Sequence, residues 1–524
     1  MKQTLRVITA TAGLAALVAL AGCSAGGSTA AKEDTTPLVI GTTDAIVSLD
    51  PAGAWDRGSF TPQNQIYQHL LSYSEGDTTP SPDAAKSCDF TTPTTYTCIV
   101  KDGLKFSNGD DLTAEDVIYS FNRVVKIASP NGPSPLLANV TSIEAGDEAN
   151  SVVFTLKVAN DQTFPYVLTS MGGPIVDSEV FPADALLDDA KVIGSGPYAI
   201  SSYEKGGLLS LVANKNYDGT AAVSKNVVLK PYTSASNLRL DIAAGTIDVA
   251  YRSLTATDVE DLRKDDSLQV VQGPGGSVRF LTFNHDQQPG DTDAQKLAIR
   301  KAVASLIDRK SIATGVYKDT YAPAYSLVLD GQTGAIPAFE TAYGSEPNAT
   351  AAAKYLSDAG VKTPVTLPIQ YTSDHYGPDS DQEYAAIKSQ LESSKLFTVD
   401  IQSTVWTSYV KERSEYPAYQ LGFFPDYPDP DNFIRSGYSS TGGSVVNGLN
   451  NPAIDKLIDV EATATDPAAR VAAIEKIQTI AADDAAIIPL LQGQETVVAK
   501  KNITGLKSTL DATYKFRFDV IGRG

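Results

Sequence analysis

Three histidines, three cysteines and a surplus of acids are the residues of this chain that could do covalent or metal chemistry. Their spacing argues against most of it. His69, His285 and His375 are scattered, and neither a Gly-x-Ser-x-Gly elbow nor a His-Glu-x-x-His helix accompanies them. Adjacent acids such as Asp483-Asp484 point in different directions on a helix, so they do not flank a scissile bond. So few histidines, with no soft-ligand cluster, offer no transition-metal site. What remains is recognition by charges and rings: Trp55-Asp56-Arg57, His375, Trp406 with Arg413 on the same expected helix, Phe423-Phe424 and Asp426. An indole can roof a pocket, an arginine can grip a carboxylate with two parallel hydrogen bonds, and a buried carboxylate can hold a cation. Each residue also has a plainer reading. Trp406 can be core and Arg413 surface, His375 and residues 55–57 can be solvated loop, and Asp426 can cap a turn before Pro428.

The cysteines divide into a pair and a single residue. Cys88 and Cys98 flank a stretch with a Pro93-containing turn, and strand-like residues follow Tyr96. A hairpin there brings the two sulfurs together as a disulfide; two free thiols are the alternative. No histidine or third cysteine lies near enough to complete a zinc site. Cys23 ends the run Leu20-Ala21-Gly22-Cys23, behind Lys2, Arg6 and an apolar, alanine-rich stretch from Val7 to Leu20. That is the pattern of a secretory signal with a small-residue cleavage site, and it resembles a bacterial lipoprotein signal. The resemblance implies removal of residues 1–22 and acylation of Cys23; the alternative is an ordinary signal with an incidental cysteine. Residues 23–37 read as a flexible tether. The expected location is the extracytoplasmic face of the cell membrane, where oxidising conditions favour the Cys88–Cys98 bridge.

A chain of 524 residues exceeds what one core supports, so two or three lobes are expected. Its formal charge of −20 repels phosphate backbones and excludes nucleic acid as a partner. Strand-like segments recur at 38–49, 96–106, 152–158, 198–202, 208–213, 227–231 and 247–249. Residues 65–73 carry Ile66, His69, Leu70 and Tyr73 at helical spacing. Thr113, followed by Glu115 and Asp116, caps a helix whose buried stripe is Val117, Phe121 and Val124. Further helices fit 236–244, 293–306, 350–359, 383–394, 453–464 and 467–483; strands fit 366–371, 398–402 and 419–423. The pattern is α/β.

Several motifs punctuate these elements. Residues 96–117 read as strand, tight turn and capped helix. Gly194-Ser195-Gly196-Pro197-Tyr198, the NKNYDG run at 214–219, Ala243 to Asp248, Asn284, Arg300-Lys301-Ala302-Val303 ahead of Ile307-Asp308-Arg309, and Asp426-Tyr427-Pro428-Asp429-Pro430 follow in order. Taken alone they are turns, caps and core stripes. Together they resemble the peptide- and nickel-type (family 5) substrate-binding lipoproteins of ABC transporters, over nearly the whole chain beyond the signal.

The resemblance implies a three-lobed clamshell of the type II, large cluster-C-like periplasmic-binding-protein fold. It divides into lobe I (38–76, 192–280 and 488–524), lobe II (77–191) and lobe III (281–487), with a hinge between lobes. It implies no enzyme activity, cofactor or metal. The function it implies is capture of an oligopeptide between lobes and delivery to a membrane permease and its ATPase, by a monomer held at the membrane by its lipid. Asp426 stands where peptide-binding members hold the peptide's α-ammonium. Trp406, Arg413 and His375 match positions near the ligand in oligopeptide-binding members, and residues 55–57 match a segment bordering it. The arginine that dipeptide-binding members place near His375 is missing, since none occurs between Tyr371 and Lys388, which favours longer peptides. A glyco-conjugate or nickel complex is the alternative ligand. An exported hydrolase, or a receptor that signals without transport, is the alternative function.

Overall fold

Two long strands, Leu268–Phe283 and Ile487–Lys500, run through the centre of the computed structural model, which describes residues 36–252, 254–377, 379–441 and 450–524. The signal segment, Cys23 and all but the last two residues of the tether lie outside the described residues. The two strands pair antiparallel from Leu268 opposite Lys500 to Thr282 opposite Ile487. The register shifts between Pro274 and Val278, where Gly275 presses so closely on the Gly493 carbonyl that a Cβ would collide with it.

Each half of this pair recruits its own strands. On the Leu268 side, Val249–Tyr251 adds to Ile487–Lys500. Leu38–Thr42 and Asn226–Pro231 continue in parallel, then Leu209–Ala213 and Tyr198–Tyr203 antiparallel. On the Phe283 side, Ala418–Phe423 pairs antiparallel with Leu268–Phe283, and Val365–Thr372 and Phe397–Thr404 follow in parallel. Helices Asp293–Leu306 and Ser380–Ser393 cover this second half. They bury Ile299, Val303, Ile387 and Leu391 against Leu367, Ile369 and Ile488. A strand buried on both faces must be apolar throughout, as Ile487 to Leu491 is.

A separate four-stranded antiparallel sheet, Ala85–Thr92, Thr95–Val100, Ser151–Leu156 and Val140–Ala145 in that order, is backed by helix Ala114–Ile127. The Thr113 amide and hydroxyl both donate to the Asp116 carboxylate at 2.9 Å, closing the expected cap. Val117, Phe121 and Val124 are buried as expected, and Phe154 meets Phe121 and Phe164 edge-on at 5.1 and 5.3 Å.

The expected helix at 65–73 is absent. Helix Arg57–Ile66 ends there, and Tyr67 turns into extended backbone. Gly196 donates its amide to the Ile66 carbonyl at 2.7 Å, and Ala84 and Ala85 donate to His69 and Leu70. The extended segment is enclosed on both sides, so Ile66, His69, Leu70 and Tyr73 are all buried and imitate a helical stripe. The other expected helices are present with small shifts at their ends.

Three of the motifs, at 96–117, 194–198 and 214–219, meet at one joint. Ser107 donates to the Gly194 carbonyl at 2.9 Å, Asn214 Nδ2 to that of Gly196 at 2.9 Å, and Asn216 Nδ2 to that of Phe106 at 3.1 Å. They fasten the four-stranded unit to the large sheet, and this backbone role accounts for their glycines and asparagines.

Cys88 lies directly opposite Cys98 in the hairpin, and the two form a disulfide. Closing so short a loop stabilises by roughly 3 kcal/mol in the chain-entropy model. Cys88→Ser should therefore lower the melting temperature in a calorimetric scan. Ligand affinity should stay unchanged, because the bridge belongs to a strand–turn unit outside the cleft described next.

Candidate ligand-binding cleft

A cavity of about 670 Å³ opens beside the register shift of the two long strands. Arg57, Arg252 and Thr255 line one side, Arg279, Tyr376 and Asp379 the other, with Phe424 and Glu495 between. A second, narrow space of about 20 Å³ lies beyond Arg57 and Phe424, which border both; Asp426, Tyr73, Thr169 and Lys515 also line it.

The charges in the wide part are mostly neutralised within the protein. Arg57 opens its helix while the Asp56 carboxylate caps the same helix, accepting from the Ser59 amide and hydroxyl at 2.9 Å each. Arg57 lies 2.7 Å from Glu495, donates to the Tyr251 hydroxyl at 2.8 Å, and stacks 4.5 Å from the Phe424 ring. Burial opposes the Glu495 charge, but Arg57 and Arg252 outweigh it and keep its carboxyl below the usual range. Arg279 is held more completely. It donates from Nε and Nη2 to Glu383, from Nη1 to the Tyr376 carbonyl at 2.7 Å and from Nη2 to Ser380 at 2.9 Å, among the rings of Tyr317, Tyr321 and Tyr376.

Asp426 differs. Asp50, Glu383, Asp429 and Glu495 each pair with an arginine. Within the Asp426–Pro430 motif, Asp429 accepts two bonds from Arg470 at 2.7 and 3.0 Å and caps helix Pro430–Tyr438. Asp426 has no cation partner among the described residues. Its Oδ1 accepts from the neutral indole Nε1 of Trp55 at 2.8 Å, and its amide donates to Asn432. Burial pushes its carboxyl up from the usual range; the Trp55 and Asn432 hydrogen bonds offset part of that.

The remaining sequence candidates form a separate group. His375 stacks on Trp406 at 3.6 Å, and Tyr376 meets Trp406 edge-on at 5.8 Å. Asp374 accepts from the Trp406 amide, fixing the start of the helix Trp406–Glu412; Arg413 lies just past its end, half-buried. His375 borders the wide cavity, whereas Trp406 and Arg413 lie behind it. Phe423 meets Phe433 edge-on at 5.4 Å, and both Phe423 and Phe424 line the wide cavity. Sequence reasoning missed Arg279, Glu495 and Lys515. A charged residue inside an apolar strand run, Val278-Arg279-Phe280-Leu281, was the available signal for Arg279. Glu383, on a polar helix, gave none.

A family model for the bacterial extracellular solute-binding proteins, family 5 Middle, matches residues 79–445. The chain belongs to that family. Members are solute-binding proteins, not enzymes. This family 5 protein is 27% identical over 487 residues to the probable D,D-dipeptide-binding periplasmic protein DdpA of Escherichia coli (strain K12), covering 89% of this chain and 90% of that one. It is 25% identical over 448 residues to the oligopeptide-binding protein OppA of Bacillus subtilis (strain 168), covering 79% of each. Among solved structures it matches the periplasmic murein tripeptide binding protein MppA in its unliganded open form, with a TM-score of 0.80 at 21% identity over 94% of this chain and 98% of that one. DppA from Helicobacter pylori in complex with the peptide STSA gives 0.71 at 21% identity, over 93% and 98%. The fold is the multi-lobed α/β clamshell of these proteins.

Replacing Arg279 by Met should leave Glu383 buried without a counter-charge and destabilise the protein by about 3–5 kcal/mol. Adding Glu383→Gln should restore much of the loss. Urea titrations of the wild type and the single and double variants measure both effects.

Proposed function

We propose that this protein captures oligopeptides in the cleft between its lobes and delivers them to an ABC permease and its ATPase. The lobes are 38–76 with 192–280 and 488–524, then 77–191, then 281–487. They close about the register shift between Pro274 and Val278 in the two long strands, the wider of two irregularities in their pairing. We further propose that the chain works as a monomer, tethered at the outer face of the membrane through acylated Cys23, and that His375 meets the far end of a long ligand, with Trp406 stacked on it and Arg413 behind.

The observation that carries the reading is the Asp426 carboxylate. It borders the cleft, is sheltered enough to raise its pKa, and meets only neutral donors. A ligand ammonium supplies the missing charge through a strong, charge-assisted hydrogen bond. The strand Ala418–Phe423 runs out just ahead of it, where an extended peptide can add its own backbone. A glyco-conjugate without an amino group brings no such cation to this position.

Calorimetry with one peptide, free and N-acetylated, against wild type and Asp426→Asn tests the assignment. The free peptide should lose roughly 2–5 kcal/mol of binding in the variant, about thirty- to several-thousand-fold in affinity. The acetylated peptide should bind both weakly and alike. Protons compete with the ammonium for this raised carboxyl, so wild-type affinity should weaken as pH falls through its pKa. That component should vanish in Asp426→Asn. Equal wild-type affinity for the two peptides removes Asp426 as the anchor and returns the ligand to an unspecified small solute.

The tether has its own check. Cys23→Ala should release the protein from membranes or block its processing. Equal detergent partitioning of variant and wild type rules out lipid attachment.

A further inference from the structure

Lys515 lines the narrow cavity that Asp426 also lines, and among the described residues it makes no ion pair. Its residue is only 6% exposed. Among the described residues no carboxylate lies within ion-pair distance of it. Among the described residues its ammonium has one hydrogen-bond partner, the Ser72 hydroxyl at 3.4 Å, and the rings of Tyr73 and Phe60 lie 5.3 and 5.9 Å from Nζ. The neighbouring carboxylates are engaged elsewhere. Asp511 faces Arg517 at 3.0 Å and accepts from the Gly76 amide at 2.9 Å; Asp83 accepts from Gln68 at 3.0 Å and from the His69 amide at 3.1 Å. Burial, then the Arg517 charge, pull the Lys515 ammonium down to about 7, despite Asp83 and Asp511.

The narrow cavity is therefore lined by two ionisable groups of opposite charge type, Asp426 and Lys515, neither in an ion pair among the described residues. The protein pairs neither with the other: Asp426 is turned to Trp55 and Lys515 to Ser72. A ligand that satisfies both carries an ammonium and a carboxylate close together. Resting on the reading of Asp426 as the peptide's ammonium anchor, we infer that Lys515 selects peptides with an acidic side chain at the first or second position. Asn64, Tyr73 and Lys515 also border a cavity of about 600 Å³ on the far side. There is therefore space for a side chain to extend past the narrow part. Phe60 and Tyr73 form walls that suit the methylenes of glutamate while excluding water, which strengthens a Lys–carboxylate pair.

C-terminally amidated five-residue alanine peptides, carrying glutamate or glutamine at position one or two, leave the side chain as the only carboxylate. Calorimetry should show the better-placed glutamate peptide binding wild type at least about tenfold more tightly than its glutamine counterpart. Lys515→Met keeps the stem and removes the charge. It should abolish the preference, and a cooperative thermal unfolding transition like that of the wild type certifies that the variant is folded. If glutamate and glutamine peptides bind wild type equally, yet acetylation still weakens both, the acidic selectivity is wrong and the ammonium anchor stands. If acetylation changes nothing, the anchor fails and the Lys515 assignment fails with it. Persistence of the preference in Lys515→Met overturns the assignment to this residue.

Discussion

The pairing of Leu268–Phe283 with Ile487–Lys500 is the constraint on which the rest of the protein depends. Its ends lie in two different hydrophobic cores. Val497 and Ala499 are buried with Leu38 and Val249, whereas Ile488 and Leu490 are buried with Ile299 and Leu367. Backbone hydrogen bonds hold both ends strongly. The middle is different, because the glycines at 273, 275 and 276 and the shift to Val278 leave fewer ladder bonds and no side-chain core. The cleft opens beside this weakest part. The same strands therefore carry the load between cores and leave the cavity its room.

Charge placement follows from this arrangement. Arginines 57 and 279 flank the cleft, yet Arg57 is bound to the half-buried Glu495 and Arg279 to the buried Glu383, so neither presents an unmatched charge to a ligand. Such pairs cost desolvation and return it through short hydrogen bonds in a low dielectric. Asp426 and Lys515 are the exceptions in the narrow end. An uncompensated charge in a buried or half-buried position is tolerated in a small number of places, and a site that must recognise a charged ligand is where that cost has a use.

Much of the scaffold was legible from residues alone. The capped helix at 114–127, the helix at 293–306 and the Cys88–Cys98 hairpin follow from local rules: a Thr–Asp cap, a 3.6-residue stripe, and alternation about a turn. The two long strands were not legible, because their apolar runs are interrupted by Gly-Pro-Gly-Gly-Ser and by Gln-Gly-Gln-Glu. Residues 65–73 misled for the opposite reason. Enclosure on both sides made an extended segment as apolar as a helix face.

The sequence by itself determined the class of the protein: the order of its motifs, the strand–turn–helix units and the disulfide all depend on neighbours within a few residues. It also singled out Asp426 by resemblance, within the Asp-Tyr-Pro-Asp-Pro run, but it could not supply the partner that sets Asp429 apart. Only the tertiary structure did that. Arg470, distant in sequence, reaches Asp429 and neutralises it, while Asp426 meets only an indole and an amide side chain. Lys515 looked like any other lysine until Ser72, Tyr73 and Phe60 closed around it. Whether a charge is paired or left for a ligand depends on partners brought from far along the chain, and that information exists only once the lobes have assembled.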